Sequence, residues 1–561
     1  MKVLLIYPPV LHERIHTEEV AVPPIGLFYV GAVLREHGHD VELLNWHDMA
    51  DRLVEAEDAF RRLRPDVIGL SVLHANRWGA MDMARVARRV VPEVRVVFGG
   101  IGVTFLWEQI LVQTDEVDYV VLGEGERTFP ALVEHLDSGD GSAPHHVPGI
   151  AFRRDGRPFR TSDAPPIEDL DSLPNPAKYF TFQHVAATRG CARNCAFCGS
   201  PRFWGRRVRA HSPSWFIEEL ELLYRRGITF FFFSDDTFTA DRVRVIEICR
   251  GILELGLRIT WFAIARVEHV DEEMLGWMRR AGCIQISYGV ESGSEAVRRQ
   301  LNKPLRPERI RRAFSLTTRA GILARAYFIY GCPGESDKTI EETLDLIREI
   351  RPLGAIFYIL EVFPGTALYE KMMRAGRISD DAWLERIEGV PYFELDPDIT
   401  REDVLRWGET LRGGYHRLLG GFARNLELAG GKSPARLNAD FCSRLAMTFS
   451  HGDYAGIKAV SDPDGVAEAL YCRALAYFPD HRAFLGLAVL HQRRGNHQEA
   501  ARLLAEGMEH YGDSEALTVC LGISLMSLGR FDEALALFER LPNSREAGLY
   551  AKKCRELKAG A

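Results

Sequence analysis

The stretch "TRGCARNCAFCGSP", Thr188 to Pro201, sets Cys191, Cys195 and Cys198 at spacings of four and three residues. Clustered thiols of this kind bind metal, and their number narrows the choice. A structural zinc site is closed by four ligands. The nearest histidines are His184 and His211, and neither has a pairing partner at finger spacing. A cubane [4Fe–4S] cluster on three thiolates leaves one iron open to a substrate or cofactor. Zinc, an electron-transfer cluster and three metal-free loop cysteines are the alternatives. The chain reads as cytoplasmic, where its ten cysteines stay reduced, which favours ligation over disulfides.

The elements around the loop must place it at a sheet's carboxyl edge. From Phe182 the segments "FQHVAAT", "TFFFFSDD", "TWFAIA", "IQISYGVE", "ARAYFIYG" and "AIFYILEVFP" read as strands, the first five each followed by a helical stretch. Six strands in this register predict a partial (β/α)6 TIM-like barrel over 182–400, with its site at the strand carboxyl ends. Ahead of it, "KVLLIYP", "DVELLNW", "DVIGLSVL", "VRVVFGG" and "VDYVVLGEGE" alternate with helices. That pattern predicts an α/β, doubly wound (Rossmann-like) domain over 1–140. The Pro-, Asp- and Arg-rich residues 141–181 read as a linker, and 401–465 as a helical connector or cap.

With these residues in view, C-x3-C-x2-C with Phe197 before the last cysteine resembles the radical S-adenosylmethionine (SAM) superfamily. The resemblance implies that the open iron chelates the amino and carboxylate groups of SAM. "FFFSDDTF" is similar to the second-strand motif, which implies Asp235 and Asp236 near the SAM amino group or ribose. Arg266 in "IARVEHV" would grip the SAM carboxylate, a bidentate task that lysine does not copy. Glu291 and Ser292 of "SYGVESGSE" would face the ribose and methionyl ends. Gly331, Pro333 and Gly334 of "FIYGCPGES" would turn beneath adenine. "EVFPGTALY" completes the set, which covers roughly residues 182 to 400.

A doubly wound domain ahead of such a barrel resembles the cobalamin-binding subclass. The resemblance implies Ser71, Gly99 and Gly100 at the nucleotide tail, and Gly123, Glu124, Gly125 and Glu126 at the corrin rim. The D-x-H-x-x-G pattern of methionine-synthase-type domains is missing: "YPPVLHERIH" has no acid two before His12, so His12 and His16 read as surface residues. In "LHANRWGAM", His74 is a candidate cobalt ligand. Arg77, unable to lose its proton, is a candidate lower-face group favouring four-coordinate cobalt.

The cofactors so implied are a [4Fe–4S] cluster, SAM and cobalamin. The implied reaction moves a methyl group from SAM through methylcobalamin to an unactivated carbon of a small-molecule or peptide-derived substrate, in natural-product biosynthesis (a class B type C-methyltransferase). Tyr330 is the candidate to orient or deprotonate that substrate. Alternatives are a ring-closing or ring-rearranging relative without net methylation, and a scaffold with degenerate sites. An electron donor such as flavodoxin or ferredoxin is a further expected partner.

Near the end, Gly495 and Gly529, Glu499 and Glu533, Ala500 and Ala534, and Leu504 and Phe538 match at an offset of 34. This resembles tetratricopeptide repeats over 466–561, with a degenerate unit near Glu468–Leu470 that leans on the preceding domain and a surface for a protein partner. At 561 residues the chain needs several cores. Its net charge of −8 without long Lys/Arg blocks argues against a nucleic-acid partner. "MKVLLIYPPV" is too short for a signal peptide, and no apolar run reaches a membrane span.

Overall fold

The computed structural model describes residues 1–11, 22–49, 52–387, 390–431 and 434–560. His12 and His16 lie outside the described residues. Two sheets organise the described chain. The first contains β1 (Lys2–Tyr7), β2 (Asp40–Asn45), β3 (Val67–Ser71), β4 (Arg95–Gly99), β5 (Tyr119–Val121), β6 (Ile150–Arg154) and β7 (Arg157–Arg160). Its spatial order is β2-β1-β3-β4-β5-β6-β7. The strands β1 to β5 are parallel, as apolar runs such as "VLLIY", covered on both faces, require.

The reading of 141–181 as linker needs correction. Residues 150–160 form an antiparallel hairpin that extends this sheet from β5. Asp155 and Gly156 take φ of 52° and 75°, the left-handed pair that a two-residue hairpin turn needs. The Asp-Gly dipeptide was the available signal. Arg153 fastens the hairpin by donating to Leu111 O at 2.9 Å and Val117 O at 2.7 Å.

The second sheet holds six parallel strands: β8 (His184–Val185), β11 (Phe230–Phe233), β12 (Thr260–Ala265), β13 (Cys283–Glu291), β14 (Leu323–Tyr330) and β15 (Gly354–Ile359). This is the expected open barrel. "FQHVAAT" is shorter as a strand than its sequence suggests. Beyond Val185 the chain leaves the sheet, and β9 (Thr188–Arg189) pairs antiparallel with β10 (Arg209–Ala210). On β12 and β14 buried and half-buried residues alternate strictly. Trp261, Ala263, Ala324 and Phe328 pack under the surrounding helices, while Phe262, Leu323 and Arg325 line the bore.

Helices Arg401–Arg424 and Ala435–Ser450 follow, and then six more from Pro463 to Gly560. Gly495 and Gly529 both have φ of 75° at equivalent helix ends. A Cβ on Gly522 would stand 2.4 Å from the Phe538 ring, so the small residue admits close helix packing. The repeats do lean on the connector. Tyr471 Oη lies 3.0 Å from Ser450 Oγ, and one apolar core runs from the barrel into the repeats. Among the described residues, no helix is long and apolar enough to cross a membrane.

Candidate active site

The three cysteines occupy the loop after β9, at the carboxyl edge of the six-stranded sheet. All three are free thiols. The loop is pinned from two sides: Ala196 N–H donates to Leu301 O at 2.9 Å, and Leu368 N–H donates to Ala196 O at 2.8 Å. Phe197 is half-buried against the core that continues into the first sheet. Burial pushes the Cys195 and Cys198 thiols up, Cys198 to about 11, while the charges of Lys303 and Arg266 draw Cys195 back. Among the described residues, no three His, Cys, Asp or Glu side chains converge as a single ion would need. A cluster takes one thiolate per iron instead, and three disulfide-free thiols on one pinned loop suit that donor set.

The expected SAM-site residues separate into two groups. Asp236 lines a cavity beside the loop and accepts from Gly190 N–H at 3.2 Å and Ser200 Oγ at 2.8 Å. Arg266 follows β12 and pairs with Glu268 at 3.1 Å, close enough to Cys195 for its charge to be felt. Glu291, held at φ 68°, is ion-paired to Lys303. Gly331 and Gly334 make the expected turn around Pro333, at φ of 80° and 73°. Asp235 and Ser292 need correction. Asp235 is 1% exposed, and it takes hydrogen bonds from Thr188 Oγ1 and Ala187 N–H beneath the loop. Burial raises its pKa to about 6. It braces the loop rather than facing a ligand. Ser292 is also buried, its Oγ accepting from Ser294 N–H at 3.1 Å.

Two residues that sequence reasoning missed act here. Lys303 folds back from beyond the next helix to pair with Glu291, where Cys195 feels its charge, and nothing in its local sequence marks it. Glu335 holds the glycine turn, accepting from Gly331 N–H at 2.6 Å and Cys332 N–H at 3.0 Å. The "GCPGE" string did carry that signal. Burial raises Glu335 to about 7.

At the carboxyl ends of β3, β4 and β5, a cavity of about 320 Å³ is lined by Ser71, Gly99, Gly100 and Gly123 to Glu126. A Cβ on Gly123, at φ 74°, would meet no protein atom within 4 Å. Glycines on this rim leave room for a bulky ligand to approach the backbone. The carboxylates of Glu124 and Glu126 are engaged elsewhere. Glu124 accepts from Arg189 at 2.9 Å and Arg209 at 2.7 Å, and Glu126 pairs with Arg189 at 2.7 Å. They join the first sheet to β9 and β10, so the carboxylates beside the cradle are already charge-paired.

A second cavity of about 1050 Å³ runs down the barrel bore and shares Leu73 and Ile101 with the first. His74 lines it, its ring tilted at 39° against Phe363 with centroids 4.7 Å apart. The His74 Nε2 is buried without a hydrogen-bond partner, and burial lowers the ring's pKa to about 3, which keeps it neutral. Glu361, just past β15, faces the same space, and its crowded surroundings raise its pKa.

The expectations for Arg77 and Tyr330 need correction. Arg77 is 2% exposed and donates to Trp383 O at 2.8 Å, His74 O at 2.8 Å and Ile387 O at 3.1 Å. It lines neither cavity, because those carbonyls take up its guanidinium. Arg77→Met should therefore lower unfolding stability by about 1–3 kcal/mol per orphaned carbonyl. The Co(II) paramagnetic resonance spectrum should stay unchanged. A changed spectrum with unchanged stability would restore the lower-face role. Tyr330 points out of the barrel, where Arg412 donates to its hydroxyl at 3.0 Å. It is a packed core tyrosine.

Comparisons with known proteins bear on this arrangement. The B12 binding domain family matches residues 15–133, the radical SAM superfamily 185–347 and a tetratricopeptide repeat family 493–554. An uncharacterized methyltransferase of Pyrococcus horikoshii is 32% identical over 384 residues, covering 66% of this chain and 83% of that protein. The chain belongs to the cobalamin-binding radical SAM family. Its cofactors are accordingly a [4Fe–4S] cluster, SAM and cobalamin. An anaerobic magnesium-protoporphyrin IX monomethyl ester cyclase of Rubrivivax gelatinosus is 30% identical, covering 66% of this chain and 70% of that protein. Methyltransferases and cyclases thus both occur among the family's matches. In fold, the chain is similar to the radical SAM methyltransferase TsrM of Kitasatospora setae, with a TM-score of 0.61 and 17% identity. That likeness covers 85% of this chain and 99% of the other.

Proposed function

We propose that this protein transfers a methyl group from SAM, by way of cobalamin, to a carbon of an organic substrate held in the barrel bore. The supporting observation is that the two cavities adjoin, with Leu73 and Ile101 lining both. A substrate in the bore would lie next to the cradle proposed for cobalamin, on the barrel side of those two residues. When bound, cobalamin supplies a methyl carrier, and the cluster with SAM supplies the methyl source and one-electron chemistry.

The chain's own residues do the rest. Phe232 and Phe262 wall the bore with apolar surface and exclude water from the substrate body. In the polar form of the reaction a methyl group replaces a proton on the substrate carbon, and SAM leaves as S-adenosylhomocysteine. Glu361 is placed to accept that proton, since among the described residues its carboxyl has no hydrogen bond or ion pair.

The test is anaerobic incubation with SAM, cobalamin and reductant against candidate substrates, reading methylated product, S-adenosylhomocysteine and 5′-deoxyadenosine together. A ring-closed product without added methyl would overturn the reading in favour of cyclisation. Glu361→Gln should slow product formation about a hundredfold, within the range of general-base catalysis. Its carboxylate form exists above its pKa, which is raised, so activity should fall on acidification at a higher pH than an ordinary glutamate dictates. An unchanged rate with 5′-deoxyadenosine formed in step with product would assign hydrogen abstraction instead.

A further inference from the structure

Along its strands the bore is mostly apolar, with two polar side chains, Gln285 on β13 and Arg325 on β14. Phe232, Phe262, Leu323, Ile356 and Tyr358 face the cavity, and among them stands Arg325 on β14. Arg325 pairs in register with Ser287 and Gly354. A Cβ on Gly354 would approach the Arg325 side chain to 3.4 Å, so the missing methyl lets the arginine lie across β15. Among the described residues the Arg325 side chain makes no hydrogen bond and no ion pair. A guanidinium with five donors and no acceptor in a mostly apolar cavity is costly unless a ligand completes it.

The floor of the bore strengthens this. Arg279, Arg444 and Arg482 converge on the single carboxylate of Asp440, at 2.7, 2.9 and 2.9 Å. Arg279 and Arg444 also line the cavity, and the Arg279 Nε is buried without a partner. Counting Asp453 on the floor and Asp480, 3.9 Å from Arg482, four arginines face three acids among the described residues, an excess of one positive charge. The opposite, upper end carries Glu361. Five strand residues separate Arg325 from the end of β14, about 17 Å at 3.3–3.4 Å per residue.

Resting on the methyl-transfer reading above, we infer that the substrate is an elongated amphiphilic anion. Its apolar or aromatic body fills the bore, its terminal oxyanion, carboxylate or phosphate, binds Arg325 above the arginine-rich floor, and its reacting carbon reaches Glu361. Guanidinium and oxyanion meet through paired charge-assisted hydrogen bonds, which are strong where water is excluded.

The experiment uses the full chain loaded with cluster and cobalamin, and dansylaminoundecanoate as fluorescent probe. The acid should bind saturably, about tenfold to a hundredfold tighter than its neutral methyl ester, as one charged hydrogen-bonding partner warrants. Dodecanoate or dodecyl phosphate should displace it, whichever is stronger identifying the oxyanion, and dodecanol should displace it poorly. Arg325→Met should erase the preference for acid over ester, and Arg325→Lys should keep part of it. Equal binding of acid and ester by the unaltered protein overturns the proposal, as does no saturable binding or a preference that survives in Arg325→Met. The acid–ester comparison in the unaltered protein decides even if Arg325→Met fails to fold. Formation of S-adenosylhomocysteine by the unaltered protein, without probe, reports on methyl transfer separately. Its absence would sink that reading and leave the binding result standing.

Discussion

Cys195→Ala should yield a protein whose iron and sulfide fall to background after anaerobic reconstitution, with 5′-deoxyadenosine formation below detection. The loss is expected to be total rather than graded. Three thiolates are the protein's whole share of the cluster's ligands, and the next thiols in sequence, Cys249 and Cys283, are buried in the barrel core. The loop should keep its shape, since Ala196 is bonded through its backbone to Leu301 and Leu368 whether or not position 195 carries sulfur. Cobalamin binding should survive, because the cradle proposed for it lies at the ends of β3, β4 and β5 of the other sheet. Cys191→Ala and Cys198→Ala should behave alike, and Cys249→Ala should retain iron. Full iron content in the Cys195 variant would remove the cluster assignment from this loop.

Glu124→Gln should produce the second large effect, on stability and cobalamin retention together. Glu124 takes hydrogen bonds from Arg189 of β9, Arg209 of β10 and the Ile167 N–H, which joins the first sheet to the barrel. Arg189 retains Glu126, but Arg209 has no second carboxylate partner among the described residues. Removing one member of a buried pair costs about 3–5 kcal/mol. Because the same residues wall the cradle, cobalamin should dissociate faster from the variant.

The pH dependence has a definite sign. Burial alone would raise the Glu124 pKa, but the hydrogen bonds from Arg209 and Ile167 and the charge of Arg189 carry it below the ordinary value. A carboxylate so depressed contributes stability above its unfolded pKa of about 4.3, and the contribution fades as pH falls through the folded value. The difference in stability between the natural protein and Glu124→Gln should therefore be constant near neutrality and shrink only below about pH 4. Equal unfolding temperatures and cobalamin retention at neutral pH would show that the tie carries no weight.

Much of this was legible in the residues themselves. Five buried strands followed by six more could be read from runs such as "KVLLIY" and "TWFAIA", because side-chain periodicity is a local property. The cysteine loop was legible because ligand number and spacing are local too. The hairpin at 150–160 was readable and overlooked, since Asp155–Gly156 is a turn signal inside a stretch whose prolines suggested a strap. Lys303 carried no signal.

What tertiary structure alone decided is which polar groups are free. Asp235 and Asp236 are adjacent in sequence, yet one is enclosed under Thr188 and the other opens onto the cradle, as alternate residues leaving a strand must. Arg77 looked like a cofactor group until its guanidinium met the carbonyl of Trp383, 306 positions away. Glu361 and Arg325 are ordinary letters in the chain, and they matter because, among the described residues, the fold brings neither side chain a hydrogen-bond or ion-pair partner. A sequence states which donors, acceptors and charges exist. Whether each is consumed internally depends on contacts between distant segments, and those are made only when the two sheets, the connector and the repeats close on one another.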